Sequence, residues 1–341
     1  MQVAVYYSNK DIRIEERPTP KIATGELLVR VEASSICGSD VMEWYRIKKA
    51  PLVLGHEIAG EIVEVGKEVK QYQKGDRVFV SHHVPCNTCR YCLSGYHSLC
   101  DTLRQTNFDP GGFSQYIRVP KINVDRGVFL LPEEMSFEEG VFIEPLACVL
   151  RGLRIARMQP GKSVLVIGSG ISGLLFVQLS QALGAGRVIV TDINEYRLNA
   201  ARRFGADTTI RAEEDVPARL RQLNDDWLVD LVVICTGAVS VISQAIQSVE
   251  RGGTVLFFAP IEPGVDVPIP MFDVWHNGIT FTTTYAGSPA DIVSAIELIR
   301  ARRVQVQDMI THRLPLTETG LGFQIVANAQ DSLKVIIEPQ K

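Results

Sequence analysis

The sequence predicts an α/β protein of two domains, a doubly wound parallel sheet and a smaller all-β domain that carries a cysteine-rich lobe. Three observations predict it. Residues 163–192 read as strand, glycine turn, helix, strand and acid. After them, short apolar β-branched runs alternate with amphipathic stretches, as a parallel sheet with crossover helices requires. Residues 1–80 instead hold short β-rich runs at 2–6, 27–33, 60–65 and 77–80, separated by turn-formers such as Pro18, Pro20, Gly55, Gly66 and Gly75. A last strand at 333–338 is expected to rejoin the β domain. The expected division is therefore 1–146 with 288–341, and 147–287.

The totals agree with this division. A length of 341 residues suits about two domains. A hydrophobic content of 46% allows a sizeable core, and a net charge of −4 argues against a nucleic-acid or membrane-surface partner. No basic start followed by an apolar run marks a signal peptide, and a cytoplasmic location is expected. The apolar run at 163–192 has the length of a bilayer span, but its glycines, serines and glutamines suit one poorly.

In the β domain, Cys37-Gly38-Ser39-Asp40 follows a strand end and Gly55-His56-Glu57 precedes one. Thiolate, imidazole and carboxylate are zinc-ligand types. Singly, a lone cysteine is more often a small buried hydrophobe and a lone histidine a core or surface residue. Cys86, Cys89, Cys92 and Cys100 form C-x2-C-x2-C-x7-C inside a loop-rich lobe at 82–105. Four thiolates close a tetrahedral shell and leave no open position, so a structural zinc is expected there. An iron–sulfur cluster is the rival, disfavoured by the seven-residue gap and the missing Cys-Pro. His82 and His83, just before the lobe, read as loop residues, one of which could face a substrate.

Ser136 is expected to cap a helix bearing Glu138 and Glu139 in its first turn. Glu144, between an apolar residue and Pro145, is expected to face inward, where either a metal or bound water, or an ordinary salt bridge, would satisfy it. Gly168, Gly170 and Gly173 then match G-x-G-x-x-G: one glycine for the tight turn, one for close approach to a pyrophosphate, one for helix–strand packing. A helix from about Gly170 to Leu183 follows, with Ile171 in its first turn, and its N-terminal amides favour phosphate. Asp192, 19 residues beyond Gly173, stands where a carboxylate accepts from the adenosine ribose. It favours NAD over NADP, although Arg197 lies close by. Strands at 229–235 and 254–259, a helix at 241–250 and a last strand at 279–285 complete the sheet, with Thr236 at the carboxyl end of one of them. Ser288 and Pro289 open a final long helix.

These motifs together resemble the zinc-dependent medium-chain alcohol dehydrogenases, over essentially the whole chain. The branch resembles the sorbitol and polyol dehydrogenases and the threonine dehydrogenases, the latter most in residues 191–198. The resemblance implies a Rossmann NAD-binding domain and a discontinuous GroES-like β-barrel catalytic domain. It implies a catalytic zinc held by Cys37 and His56, with Glu57 or Glu144 completing the set. It also implies a Ser39 that takes the substrate proton, and Lys334 near the cofactor phosphates. Relatives usually carry a histidine that relays this proton where this chain has Met42. The implied reaction is oxidation of a secondary alcohol of a polyol or sugar derivative to a ketone with NAD. Threonine or an alditol phosphate are alternative substrates; Arg46, Lys48 and Lys49 could meet a phosphate or be a solvated basic loop. A nucleotide-binding protein that has lost catalysis is the remote alternative. Homodimers or homotetramers are expected, through pairing of the last Rossmann strand with its copy.

Overall fold

A computed structural model describes residues 1–341. The chain forms two compact units, Met1–Ala147 with Ala286–Lys341, and Cys148–Tyr285.

The strands in chain order are β1 (Gln2–Ser8), β2 (Asp11–Glu16), β3 (Leu27–Ser35), β4 (Leu52–Val53), β5 (Glu57–Val65), β6 (Arg77–Val80), β7 (Tyr116–Val119), β8 (Val128–Leu130), β9 (Ser163–Ile167), β10 (Arg187–Asp192), β11 (Thr208–Arg211), β12 (Val229–Ile234), β13 (Val249–Phe257), β14 (Thr280–Thr283), β15 (Ile310–Pro315) and β16 (Lys334–Glu338). In the first unit, β2-β1-β4 make one small sheet. The order β15-β16-β3-β5-β6-β8 makes a larger one, with β7 also paired to β3. The C-terminal strand is thus hydrogen-bonded to β3, with Ile336 opposite Ser35. Two apolar clusters fill this unit. One is built around Tyr6, Phe113 and Phe323, the other around Ile58, Ile62, Phe108 and Ile117.

The second unit has the order β11-β10-β9-β12-β13-β14, all parallel. Its strands are continuous apolar runs because crossover helices cover both faces. The order reverses between β9 and β12, the switch point at which doubly wound sheets bind ligands beyond the strand carboxyl ends. Leu165, Ile167, Ile189, Val232 and Val255 meet the helical residues Val216, Leu220, Ile242 and Ala245 in its core.

Two helix starts follow the capping chemistry read from sequence. Ser136 with Glu139, and Ser288 with Asp291, each form a reciprocal capping box, for helices Phe137–Gly140 and Pro289–Arg300. The expected helix at 241–250 ends at Ser248, and Val249 and Glu250 instead open β13. β-branched Val249 packs into the sheet core, and that tertiary burial outweighs the helical pattern before it. No helix is long and apolar enough to cross a membrane.

Candidate metal centres and nucleotide turn

Strand register assembles the first centre. Ser35, the last residue of β3, pairs with Glu57, the first residue of β5. Cys37 and His56 lie just beyond these ends, so two segments some twenty residues apart meet side by side. Gly55 makes the approach possible. Its φ is +90°, and a Cβ there would sit 2.8 Å from the Phe113 amide nitrogen. Ligand atoms of Cys37, His56 and Glu57 all lie within 4.8 Å of one another. Glu144, half-buried at the start of helix Ile143–Ile155, is outside this group.

Glu57 is fully buried. Its Oε2 accepts from the Ser35 hydroxyl and the Lys334 ammonium, while its Oε1 is buried with no hydrogen-bond partner. A buried carboxylate oxygen left bare is costly unless a cation or donor meets it. A thiol, an imidazole and a carboxylate are a donor set that fits zinc. Lys334 is 1% exposed, with its ammonium on Glu57 inside the first unit. A buried ammonium requires a counter-charge, and Glu57 is that charge.

Asp40 supports the set from behind. Its Oδ2 accepts from the Cys37 amide at 3.0 Å, and its Oδ1 lies 3.4 Å from His56 Nδ1. Burial opposes ionisation of Asp40, but His56 and Arg46 outweigh it and hold its carboxyl below the usual range. The carboxylate fixes the imidazole's tautomer and leaves Nε2 free to ligate. Ser39 donates its hydroxyl to Cys37 Sγ at 3.4 Å, which places the side chain beside the same centre.

His82 deserved more weight than a loop reading gives. Its ring centroid stands 5.0 Å from that of His56 and 3.8 Å from that of His83, and its Nδ1 is buried without a partner. Asn123 holds its backbone by donating to the Ser81 and His82 carbonyls at 3.0 Å. Burial, and then the positive charges of His56, Arg46 and Lys49, push His83 down to about 4, so it is neutral near pH 7. The adjacent His-His pair was a signal in the sequence, but nothing local to it pointed to Gly55-His56.

The second centre is the cysteine lobe. Sγ of Cys86 and Cys92 are 4.0 Å apart, and those of Cys89 and Cys92 are 3.6 Å apart. Tetrahedral Zn–S bonds of about 2.3 Å put sulfurs about 3.8 Å apart, so the lobe is shaped for zinc. Cys100 belongs to the same group, and its Sγ accepts from the Cys86 amide at 3.3 Å. Amides of Thr88 and Cys89 point at Cys86 Sγ, and hydrogen bonds of this kind hold its thiol at about 5.

In the second unit, the glycine turn sits at the end of β9. A Cβ on Gly173 would lie 2.0 Å from the Gly168 carbonyl oxygen, so only glycine lets the helix Ile171–Ala182 pack there. Gly170 differs. The space its missing Cβ leaves has no protein atom nearer than the Arg197 guanidinium at 3.8 Å. That open cradle, at a helix N-terminus, fits a pyrophosphate. Asp192 is buried; its Oδ2 accepts from the Ser169 amide at 2.7 Å and hydroxyl at 3.0 Å, and its Oδ1 from the Asn194 amide at 2.9 Å. The acid therefore braces the turn. Its remaining lone pairs are what a ribose hydroxyl would use. Thr236, past the end of β12, flanks Gly168, and Arg197 Nε is buried without a partner.

Comparison with known proteins shows the family. Residues 23–132 match the alcohol dehydrogenase GroES-like domain, and residues 172–301 match the zinc-binding dehydrogenase domain. Sorbitol dehydrogenase of Bacillus subtilis is 31% identical over 100% of this chain and 98% of its own. L-threonine 3-dehydrogenase of Bacillus licheniformis is 31% identical over 94% of this chain and 93% of its own. A zinc-binding dehydrogenase from Sinorhizobium meliloti, solved bound to NADP, superposes with a TM-score of 0.88 at 28% identity, covering 99% of both chains. With a GroES-like domain, a Rossmann-type domain and relatives of this kind along its whole length, the chain belongs to the zinc-dependent medium-chain alcohol dehydrogenase family.

Proposed function

We propose that the protein reversibly oxidises a secondary alcohol of a polyol or sugar derivative to a ketone, with NAD as hydride acceptor and zinc held by Cys37, His56 and Glu57. The observation that carries this reading is the buried carboxylate of Glu57, its Oε1 without a hydrogen-bond partner, in one cluster with a thiol and an imidazole. Zinc held there would supply a Lewis acid for the alcohol oxygen. NAD supplies the hydride acceptor. Asp40 orients His56. Lys334 balances Glu57, which leaves Oε1 for the metal. Ser39 accepts the substrate proton as its own hydroxyl proton passes to water, and Met42, with no ionisable group, takes no part in the relay. Glu144 then meets substrate hydroxyls rather than ligating. Cys86, Cys89, Cys92 and Cys100 hold a second, structural zinc.

In the second unit, Gly168, Gly170, Ile171 and Gly173 take the pyrophosphate. Thr236 and Arg197 are further cofactor contacts, and Asp192 takes the adenosine ribose. The buried carboxylate of Asp192 disfavours a 2′-phosphate, which supports NAD over NADP. L-Threonine is the second reading, supported by residues 191–198 and by a threonine dehydrogenase relative as similar as the sorbitol one. A homodimer is proposed through β14, an edge strand of its sheet, beside exposed Phe272 and Trp275.

The test is NAD reduction across polyols, alditol phosphates and L-threonine, with the Cys37→Ser variant beside the wild type. Turnover on a polyol that Cys37→Ser abolishes, with NAD binding retained, is the expected result. Turnover on L-threonine alone rejects the polyol reading, and full turnover by Cys37→Ser rejects the metal role.

A further inference from the structure

Arg46 lies in a segment that reads as a solvated basic loop, with Lys48 and Lys49 exposed beside it. Its own side chain is turned inward and is only 14% exposed. It closes the short helical turn Glu43–Arg46, and its guanidinium stacks on Tyr45, 4.7 Å from the ring centroid. From there it makes three hydrogen bonds. Nε donates to the Ser39 carbonyl at 3.0 Å, Nη2 donates to Ser39 Oγ at 3.0 Å, and Nη2 also reaches Asp40 Oδ1 at 3.3 Å. Asp40 Oδ1 is the same oxygen that faces His56 Nδ1. Glu43, the nearest acid in sequence, is turned away and accepts from the Asn9 amide at 3.1 Å.

We infer that Arg46 is a positioning residue for alcohol oxidation, one guanidinium that sets both the hydroxyl of Ser39 and, through Asp40, the imidazole of His56. The inference rests on the reading of Cys37, His56 and Ser39 as the oxidation centre. The chemistry of the side chain gives the reason. Guanidinium has five donors, no acceptor and no accessible neutral form. A hydroxyl that accepts from it cannot direct its own hydrogen back. The Ser39 hydrogen therefore points elsewhere, to Cys37 Sγ in the free protein. One Ser39 lone pair is held by Arg46, and the other stays available to the substrate hydroxyl. Met42 offers no such help. Lysine cannot reproduce the arrangement, since a single ammonium lacks the planar fork that spans a carbonyl, a hydroxyl and a carboxylate together.

The experiment compares Arg46→Ala and Arg46→Lys with wild type in the zinc-loaded enzyme, on the best alcohol from the substrate panel. Because misplacement of a reacting group by about 1 Å costs on the order of 10²-fold, Arg46→Ala is expected to lose kcat by that order while KM changes little. Ethylguanidine is expected to restore part of the rate to Arg46→Ala, and Arg46→Lys to recover little of it. A second readout needs no turnover: with Asp40 released, a chelator should strip zinc from Arg46→Ala faster than from wild type. An unchanged kcat overturns the inference. So does a rise in KM alone, which would make Arg46 a substrate contact. So does a kcat loss without ethylguanidine rescue and with an unchanged rate of zinc loss. If Arg46→Ala does not fold, Arg46→Lys carries the same comparison of kcat and zinc loss. Cys37→Ser run in parallel separates the two levels. Turnover by that variant removes the oxidation centre itself, whereas an inactive Cys37→Ser beside a wild-type-like Arg46→Ala removes only the role of Arg46.

Discussion

Gly170→Ala separates the fold from the nucleotide turn. The glycine has φ −64° and ψ −174°, which alanine adopts without strain. A Cβ there meets nothing closer than Arg197 at 3.8 Å, an ordinary contact. Gly170 is also the helix N-cap, where alanine is the poorer residue by several tenths of a kcal/mol or more. Alanine's lower freedom in the unfolded chain offsets this by about 0.4–1 kcal/mol. Stability should therefore be nearly unchanged. Binding should not be. If a pyrophosphate lies against Gly170, the added methyl overpacks that contact by about 1–3 kcal/mol. That corresponds to roughly a 5- to 150-fold rise in the NAD dissociation constant. Calorimetric titration with NAD, beside thermal unfolding without it, reads both quantities. NAD affinity equal to wild type in a normally folded Gly170→Ala protein would refute the placement of pyrophosphate at this turn. The contrast is Gly173→Ala, whose Cβ would sit 2.0 Å from a backbone oxygen and which should lower stability even without nucleotide.

Two further outcomes test other parts of the molecule. Cys100→Ser should reduce the metal content, measured by elemental analysis, from about two zincs per chain to about one and destabilise the lobe; an unchanged content would mean that the four thiolates do not hold zinc. Glu139 supplies a pH test. Burial raises its pKa, but its bonds to Ser136 and Arg302 outweigh burial and hold its carboxyl below the ordinary value. Its contribution is thus complete above the unfolded value of about 4.3 and lost as pH falls through the lower folded value. Glu139→Gln should cost about 1–2 kcal/mol near neutral pH in denaturant unfolding. The gap from wild type should close on acidification; a gap constant down to pH 3 would contradict this.

What the sequence made legible was local or spaced by a fixed rule. The glycine turn, Asp192 and the cysteine lobe are motifs whose partners lie within one supersecondary unit. Their geometry follows from chain spacing. The helix caps at Ser136 and Ser288 likewise lie within a single turn. Long-range side-chain choices were not legible. The partner of Lys334 was not readable, because nothing near it in sequence predicts a buried acid 277 residues away. Arg46 reads as part of a basic run because its neighbours Lys48 and Lys49 are exposed, and only tertiary structure shows its fork turned onto Ser39 and Asp40. Glu57 and Glu144 were equivalent candidates by residue type. Pairing of β3 with β5 brings the first into the donor cluster and leaves the second outside it.

The link between Lys334 and Glu57 also orders events in time. Cys37, His56 and Glu57 are synthesised early, whereas the cation that balances Glu57 arrives on the last strand. At translation rates of about 5–20 residues per second, the interval is on the order of tens of seconds. Throughout it the nascent chain presents an unbalanced acidic donor set, and the strand bearing Ile336 has not yet joined Ser35. The centre therefore reaches its final charge only when the polypeptide is almost finished.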